Sequence, residues 1–414
     1  MPHLIVVGAG AAGLAAAGQA VRLGCEVALL EHSGMPGKKI LVTGKGRCNV
    51  TNDCDNQEFL RHVRTNPRFL FSAIAGFSTR DTMEWMESLG VELKTERGRR
   101  VFPVSDRAED VRAALCRWAS GARLVEQGAQ SLLLEDGRVT GVQTTGGRTI
   151  AADGVLIATG GVSYPATGST GDGYRLAAQA GHGLVQPVAS LVSLVAEGGD
   201  CRRMMGLALK NVRLTLLENA KPVFSEQGEM LFTHFGVSGP LVLSASAWIR
   251  DLKKYRYTLS IDLKPALSAE QLYARIGRDF ELLAGKNAAN CLQKLVPATM
   301  QPVILERWGV DPALRVNQID RASRLALVQL LKGFCVTVRE RGDLQHAVIT
   351  AGGIPVKEVS PKTMESKLAP GLYFAGEVLD VDAYTGGYNL QIAFATGMAA
   401  ARGFAAAHGL PQQQ

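Results

Sequence analysis

Several features that would point to particular chemistries are missing from these 414 residues. The seven cysteines include no Cys-x-x-Cys pair, so neither a dithiol redox couple nor the usual zinc spacing is expected. Their odd number and low density exclude a disulfide scaffold and point to a reducing, cytoplasmic setting. Histidines are few and form no metal-ligand cluster, so no metal is expected. No apolar run reaches the ~18 residues of a membrane helix. No basic leader precedes the first strand, so no secretory signal is expected either. There is no internal repeat, and no low-complexity tract beyond a Gln-rich tail.

What is present suits a globular enzyme. Hydrophobic residues make up 46% and charged residues 20% of the chain, and the length implies two or three domains. Lysine and arginine total 45 against 38 acidic residues, a net charge of +7. That excess permits an anionic partner without identifying one.

The informative stretch opens the chain. Leu4-Ile5-Val6-Val7 runs into Gly8-Ala9-Gly10-Ala11-Ala12-Gly13, and a small-residue helix follows. This strand–turn–helix order is that of a dinucleotide-binding fingerprint. Gly8 permits the turn, Gly10 lets the backbone approach a pyrophosphate, and Gly13 lets helix and strand pack closely. Phosphates would sit at the positive end of that helix. A second strand, Glu26 to Leu30, ends in Glu31, about 20 residues on, where an acid accepts from a ribose hydroxyl. The loop from Gly34 to Asn52 has no helical or strand periodicity. Its glycines and lysines suit a segment that touches a ligand.

That loop carries a family resemblance. Gly37-Lys38-Lys39-Ile40 and Gly44-Lys45-Gly46-Arg47-Cys48-Asn49-Val50-Thr51-Asn52 resemble the signature of the BaiN/RdsA family of FAD-dependent oxidoreductases. So do Ser163 to Tyr174 and Gly376 to Gln391. The resemblance runs from Leu4 to about Gly397 and is weakest in the middle. It implies an α/β fold: a Rossmann-like FAD-binding domain of glutathione-reductase type, interrupted by an inserted β-barrel-like and helical domain. The expected boundaries are 1–190 and 346–414 for the FAD domain and 191–345 for the insertion. Within the insertion, 191–265 reads as β-rich and 266–332 as helical, with Pro297, Pro302 and Pro312 as breaks. Phe334 to Val338 and Ala347 to Thr350 read as the return to the first domain. Arg123 to Gln143 reads as one β-meander.

Beyond the first fingerprint, three segments are expected beside the cofactor. They are Lys38 and Lys39 with Gly46, Arg47 and Asn49; Thr159-Gly160-Gly161; and Gly376-Glu377 with Asp380, Gly386, Gly387, Tyr388, Asn389 and Leu390. Relatives of this fold carry Gly-Asp where this chain has Gly376-Glu377, so either Glu377 or Asp380 approaches the cofactor. Asp172-Gly173 is expected to cap a helix starting at Tyr174. No second complete Gly-x-Gly-x-x-Gly exists, so NAD(P)H is expected only as a transient electron donor.

Cys48 is the sequence's candidate proton donor, with Lys45 and Arg47 expected to lower its pKa. His234, Tyr164 and Tyr384 are alternatives in unusual loops, whereas His62 and His346 have no comparable context. Members of the resembled family reduce a uracil of 23S ribosomal RNA to dihydrouridine, or reduce steroid-type enones. Both reactions add hydride to a conjugated C=C. The basic balance, with Arg61 to Arg100 as a phosphate-contacting rim, favours RNA. A third reading is an FAD-containing RNA-binding or assembly factor without turnover.

Overall fold

The first apolar run forms the strand His3–Val7, buried because strands flank it on both edges. The computed structural model describes residues 1–411, and the Gln-rich tail at 412–414 lies outside them. Two units divide the chain: residues 1–190 with those from 344 onward, and Leu191–Asp343.

The first unit is built on a parallel sheet in the order Leu372–Phe374, Gly154–Ile157, His3–Val7, Glu26–Leu30, Arg123–Val125. Its central strands read as unbroken apolar runs, as strands covered on both faces must. Arg123–Val125 therefore leaves the expected meander. It pairs with Ala28–Leu30 instead. The antiparallel meander is Ala129–Glu135, Arg138–Thr144 and Thr149–Ala151. Its first turn has both Asp136 and Gly137 at positive φ, 49° and 79°, the backbone that matches strand twist.

Helix Ala11–Arg22 opens the unit and helix Tyr388–Ala407 closes it. They touch through missing side chains. A Cβ on Gly397 would lie 2.5 Å from Ala12 O, and one on Gly154 would lie 2.8 Å from Phe404 Cε2. The closing helix thus passes Ala12 at its midpoint and reaches the start of the strand Gly154–Ile157 near its end. It runs antiparallel to the strands, like the opening helix, so both N-termini face the sheet's C-terminal edge. Beside that edge lie the hairpin Leu93–Glu96/Arg100–Pro103 and the ribbon Val63–Thr65/Asp382–Ala383. The helix at Asp172–Gln179 starts two residues earlier than expected, with Gly171 as its N-cap, so Asp172 lies in the first turn and accepts from Thr170 Oγ1 at 2.6 Å.

The second unit is a closed barrel in the order Leu194–Ala196, Gly236–Ser238, Lys221–Phe232, Ala208–Glu218, Tyr257–Asp262, Phe334–Arg341. Phe334–Arg341 is a correction: it closes the barrel rather than returning to the first unit. Its alternate residues Phe334, Val336 and Val338 are buried, and it pairs with Tyr257–Asp262 on one side and Leu194–Ala196 on the other. Helices Ala269–Leu282, Gln301–Trp308 and Arg321–Lys332 belong to this unit. Pro302 starts its helix instead of breaking one, because a first-turn N–H has no intrahelical acceptor to lose.

Two predictions follow from this packing. A Cβ on Gly13 would stand 1.9 Å from Gly8 O, backbone against backbone. Gly13→Ala should cost about 1–3 kcal/mol or more in urea unfolding; an unchanged midpoint would show that the turn gives way freely. Asp382 is 1% exposed, and its Oδ1 has no hydrogen-bond partner among the described residues. Burial pushes its carboxyl up to about 6, against the Thr65 hydrogen bond and the Arg64 charge. The folded state therefore keeps this proton to higher pH than the unfolded chain, whose aspartates titrate near ~4. Stability should fall as pH rises from about 4 to about 6 and then level. Asp382→Asn should gain on the wild type by on the order of 3 kcal/mol between those limits, read from urea titrations at each pH. Parallel curves would contradict it.

Candidate functional site

The N-terminus of the opening helix is arranged to receive something. Gly10 is its N-cap, extended at φ −78° and ψ −168°, with no side-chain cap and no acid in the first turn. First-turn N–H groups of a helix have no intrahelical acceptors. A Cβ on Gly10 would meet nothing within 4 Å, whereas one on Gly8 would meet Ala158 O at 2.7 Å. The three fingerprint glycines thus differ in role: two permit contact within the protein and one faces open space. Glu31 braces the turn. Its Oε2 accepts from Ala9 N–H at 3.0 Å and its Oε1 from Ser33 N–H at 2.7 Å.

A polar knot lies between distant segments. Glu377 Oε1 accepts from Ser163 Oγ at 2.9 Å and from Thr350 N–H at 2.7 Å. Its Oε2 pairs with Lys39 Nζ at 2.9 Å, and that Nζ also reaches Ser163 Oγ at 2.7 Å. Thr350 Oγ1 accepts in turn from Val162 and Ser163 N–H. Burial pushes the Glu377 carboxyl up, but the Lys39 charge and these hydrogen bonds outweigh it, and the net direction is down. Glu377 therefore stays ionised at neutral pH. Gly161 fits here because a Cβ would lie 2.4 Å from Thr350 Oγ1; Thr159 and Gly160 precede it at the end of the strand Gly154–Ile157. Lys39 and Glu377, separate in the sequence reading, are one ion pair, and Lys38 lies outside it. Asp380 is held apart: Asn66 Nδ2 donates to its backbone oxygen at 2.7 Å and to Oδ2 at 3.1 Å. Burial raises its pKa.

The closing helix has a second bare N-terminus. Its N-cap, Gly387, has φ 95° and no side-chain cap, and a Cβ there would lie 2.3 Å from Thr51 O. Gly376 meets the opening helix, with a Cβ placed 2.9 Å from Ala12 Cβ. The Asn389 side chain is used internally, bonding Ala383 N–H and O and Tyr384 O. Only backbone is left there, at Asn389 and Leu390, to face a ligand.

The loop around Cys48 corrects the sequence reading. Arg47 is turned to Glu96 at 2.8 Å and Asp106 at 3.2 Å and stacks over Phe102. Neither it nor Lys45 lowers the Cys48 pKa: burial pushes this thiol up to about 12. Cys48 is 0% exposed, so its sulfur presents no surface to a substrate. Asn49 Oδ1 is buried with no hydrogen-bond partner among the described residues. Gly46, at φ 83°, gives the loop its bend.

Sequence reasoning missed an open surface cavity of about 470 Å³ that Asn52 connects to Gly386. Asn52, Glu58, His62, Gly98, Arg99 and Tyr388 line it, with Cys54 and Asp55 at one side. Asn52 Nδ2 joins its two rims, donating to Gly98 O at 3.0 Å and Gly386 O at 3.1 Å. The only trace in the sequence is the i,i+4 spacing of Glu58 and His62. Among the described residues, no group of three or more His, Cys, Asp or Glu could hold a metal ion, and no helix is long and apolar enough to cross a membrane.

Comparisons with known proteins bear on the family and the fold. The chain is 30% identical over 410 residues to a 3-dehydro-bile acid delta(4,6)-reductase of Clostridium scindens, covering 97% of this chain and 98% of that one. It is equally 30% identical over 406 residues to the ribosomal RNA dihydrouridine synthase of Escherichia coli, with 97% and 98% covered. Among solved structures, a 3-ketosteroid delta1-dehydrogenase of Sterolibacterium denitrificans superposes with a TM-score of 0.50 at 15% identity, covering 98% of this chain and all of that one. That likeness concerns the fold, which is of the Rossmann type that binds FAD. The family described as HI0933-like protein Rossmann domain matches residues 2–403; the chain belongs to this family of BaiN/RdsA-type flavoprotein oxidoreductases.

Proposed function

We propose that the chain holds FAD across its two bare helix N-termini and reduces the C5=C6 bond of a uridine in 23S ribosomal RNA. The residues fit the cofactor. The opening at Gly10, with the amides of Ala11, Ala12 and Gly13, suits the pyrophosphate, and Glu31 suits the adenosine ribose. The knot of Lys39 and Glu377 suits the ribityl side. The Gly386-Gly387 turn and the amides of Asn389 and Leu390 suit the flavin ring. Bound FAD would supply hydride, with NAD(P)H as its transient source.

The substrate choice rests on one observation: the cavity beside Gly386 is lined by hydrogen-bonding and charged groups. Its volume lies within the usual range for a small-ligand pocket, ~300–1,000 Å³. Glu58 can accept from an imide N–H and Arg99 can donate to a phosphate, while both Asn52 Nδ2 protons are already held by Gly98 O and Gly386 O. A steroid enone would leave Glu58 and Arg99 without those partners, which a binding site tolerates poorly. The relatives are named a bile acid reductase and a ribosomal RNA dihydrouridine synthase, and the polar lining favours the second as the guide to substrate. The uridine must be unstacked to reach a flavin held in this fold, at a cost of a few kcal/mol. Protein-free or immature RNA is therefore the favoured substrate form.

The test is FAD-loaded protein with NAD(P)H and protein-free 23S RNA, read by mass spectrometry of nucleosides. Dihydrouridine should form, and its yield at limiting enzyme should fall by tenfold or more between 50 and 200 mM salt, because phosphate contacts release counterions. Unmodified RNA alongside rapid reduction of a steroid enone would reverse the assignment.

A further inference from the structure

His62 follows helix Asn56–Arg61 as its C-cap. Its Nδ1 lies 2.8 Å from Glu58 O. A carbonyl only accepts, so Nδ1 carries a proton in that bond, and Nε2 is the nitrogen left to gain and lose one. The other ring nitrogen, Nε2, has no hydrogen-bond partner among the described residues. Glu58 Oε1 stands 3.7 Å from Nδ1. The ring lies flat on Tyr388, with centroids 4.6 Å apart and planes at 6°, and edge-on to Tyr384 at 5.9 Å. His408 ends the closing helix with the same kind of bond, Nδ1 to Phe404 O at 2.9 Å, and also lies against an aromatic ring; what sets His62 apart is its place in the lining of the cavity. A histidine oriented there by a partner at Nδ1, with Nε2 left over, has the arrangement of a proton-transfer histidine.

Arg99 stands across the same cavity. It occupies the tip of the hairpin at φ 57°, a conformation that Gly and Asn adopt more readily. Asp53 N–H bonds its carbonyl at 2.8 Å, and Asn52 fixes the preceding Gly98 to Gly386. The carboxylates nearby are partly engaged: Asp55 caps Glu58 N–H at 2.8 Å, and Glu58 Oε2 pairs with Arg61 at 2.9 Å.

We propose that His62 delivers the proton of the reduction and that Arg99 holds the phosphate of the same nucleotide. The inference rests on the uridine reading above. Bound FAD, when reduced, would supply hydride with both electrons to C6 of the ring. The C5=C6 π pair moves toward C5 and the neighbouring carbonyl. The proton on His62 Nε2 then bonds to C5, the imidazolium becomes neutral, and water reprotonates it. Tyr388 belongs to both the cavity wall and the first turn of the closing helix. His62 therefore stands beside the helix N-terminus that would hold the flavin.

The experiment uses FAD-loaded protein reduced with dithionite under anaerobic conditions and mixed with protein-free 23S RNA. His62→Ala should slow reoxidation of the flavin by about 10²-fold or more, and added imidazole should restore part of the rate. His62→Gln, which keeps a planar side chain near Tyr388, should be as slow and should not respond. Arg99→Asn tolerates the left-handed backbone and should weaken binding of uridine 5′-monophosphate by tenfold or more in calorimetry. Wild-type reoxidation in both His62 variants, or a loss that imidazole does not restore, overturns the role of His62. Unchanged nucleotide binding in Arg99→Asn overturns that of Arg99. If only a steroid enone reoxidises the wild type, the uridine reading and the Arg99 assignment fall together. His62 is then judged by the same rescue with the enone, since the proton step is common to both substrates.

Discussion

Close approach at Ala12 governs the first unit. There the opening helix, the turn at Gly376 and the closing helix at Gly397 come within distances that no Cβ would permit. The contact brings the beginning and the end of the chain to one sheet edge, with two helices of 12 and 20 residues running the same way. Each N-terminus carries about half a positive charge and unsatisfied N–H groups. Neither is capped by a side chain. Two such ends on one edge favour an anionic, extended ligand, and the glycines that allow the packing also leave the backbone bare.

The ion pair of Lys39 and Glu377 belongs to the same constraint. Each side chain is a little over a fifth exposed, so the pair is screened less than a surface one and must be well bonded to persist. Ser163 and Thr350 supply those bonds. The result ties three distant segments to one ionised carboxylate. Charge elsewhere is a weaker guide than the net +7 suggests. Arg47, Arg61, Arg80 and Lys94 all face acids of the same region. Part of the expected basic rim, at Arg61, Arg80 and Lys94, is thus internally neutralised, and the case for RNA rests on the cavity lining more than on net charge.

The parallel sheet was legible because buried strands are continuous apolar runs that end in glycine, and the barrel because its strands alternate. Arg123–Val125 was not, since three residues with Leu124 exposed carry no period. Phe334–Arg341 was misassigned because alternation tells which face is buried but not which sheet the strand joins. The errors at the site have one cause. Sequence shows Lys45 and Arg47 beside Cys48 but not the burial that raises its pKa. It shows His62 near Glu58 but not Tyr388, which folding lays against the ring from the far end of the chain. Local spacing carries local chemistry, and the cavity is made by non-local contact.

The central claim is that the bare N-terminus at Gly10 exists to receive a pyrophosphate. The direct measurement pairs FAD affinity with the thermal stability of the cofactor-free protein for Gly10→Val. Extended backbone and nothing within 4 Å of the added Cβ mean that the fold should accept the side chain. The account predicts an unfolding midpoint of the cofactor-free variant within a few degrees of the wild type, and FAD binding weakened by about 10²-fold or more, because the valine fills the space that a phosphate needs. Unchanged FAD affinity in a folded variant would contradict it, as would a wild type that binds no FAD.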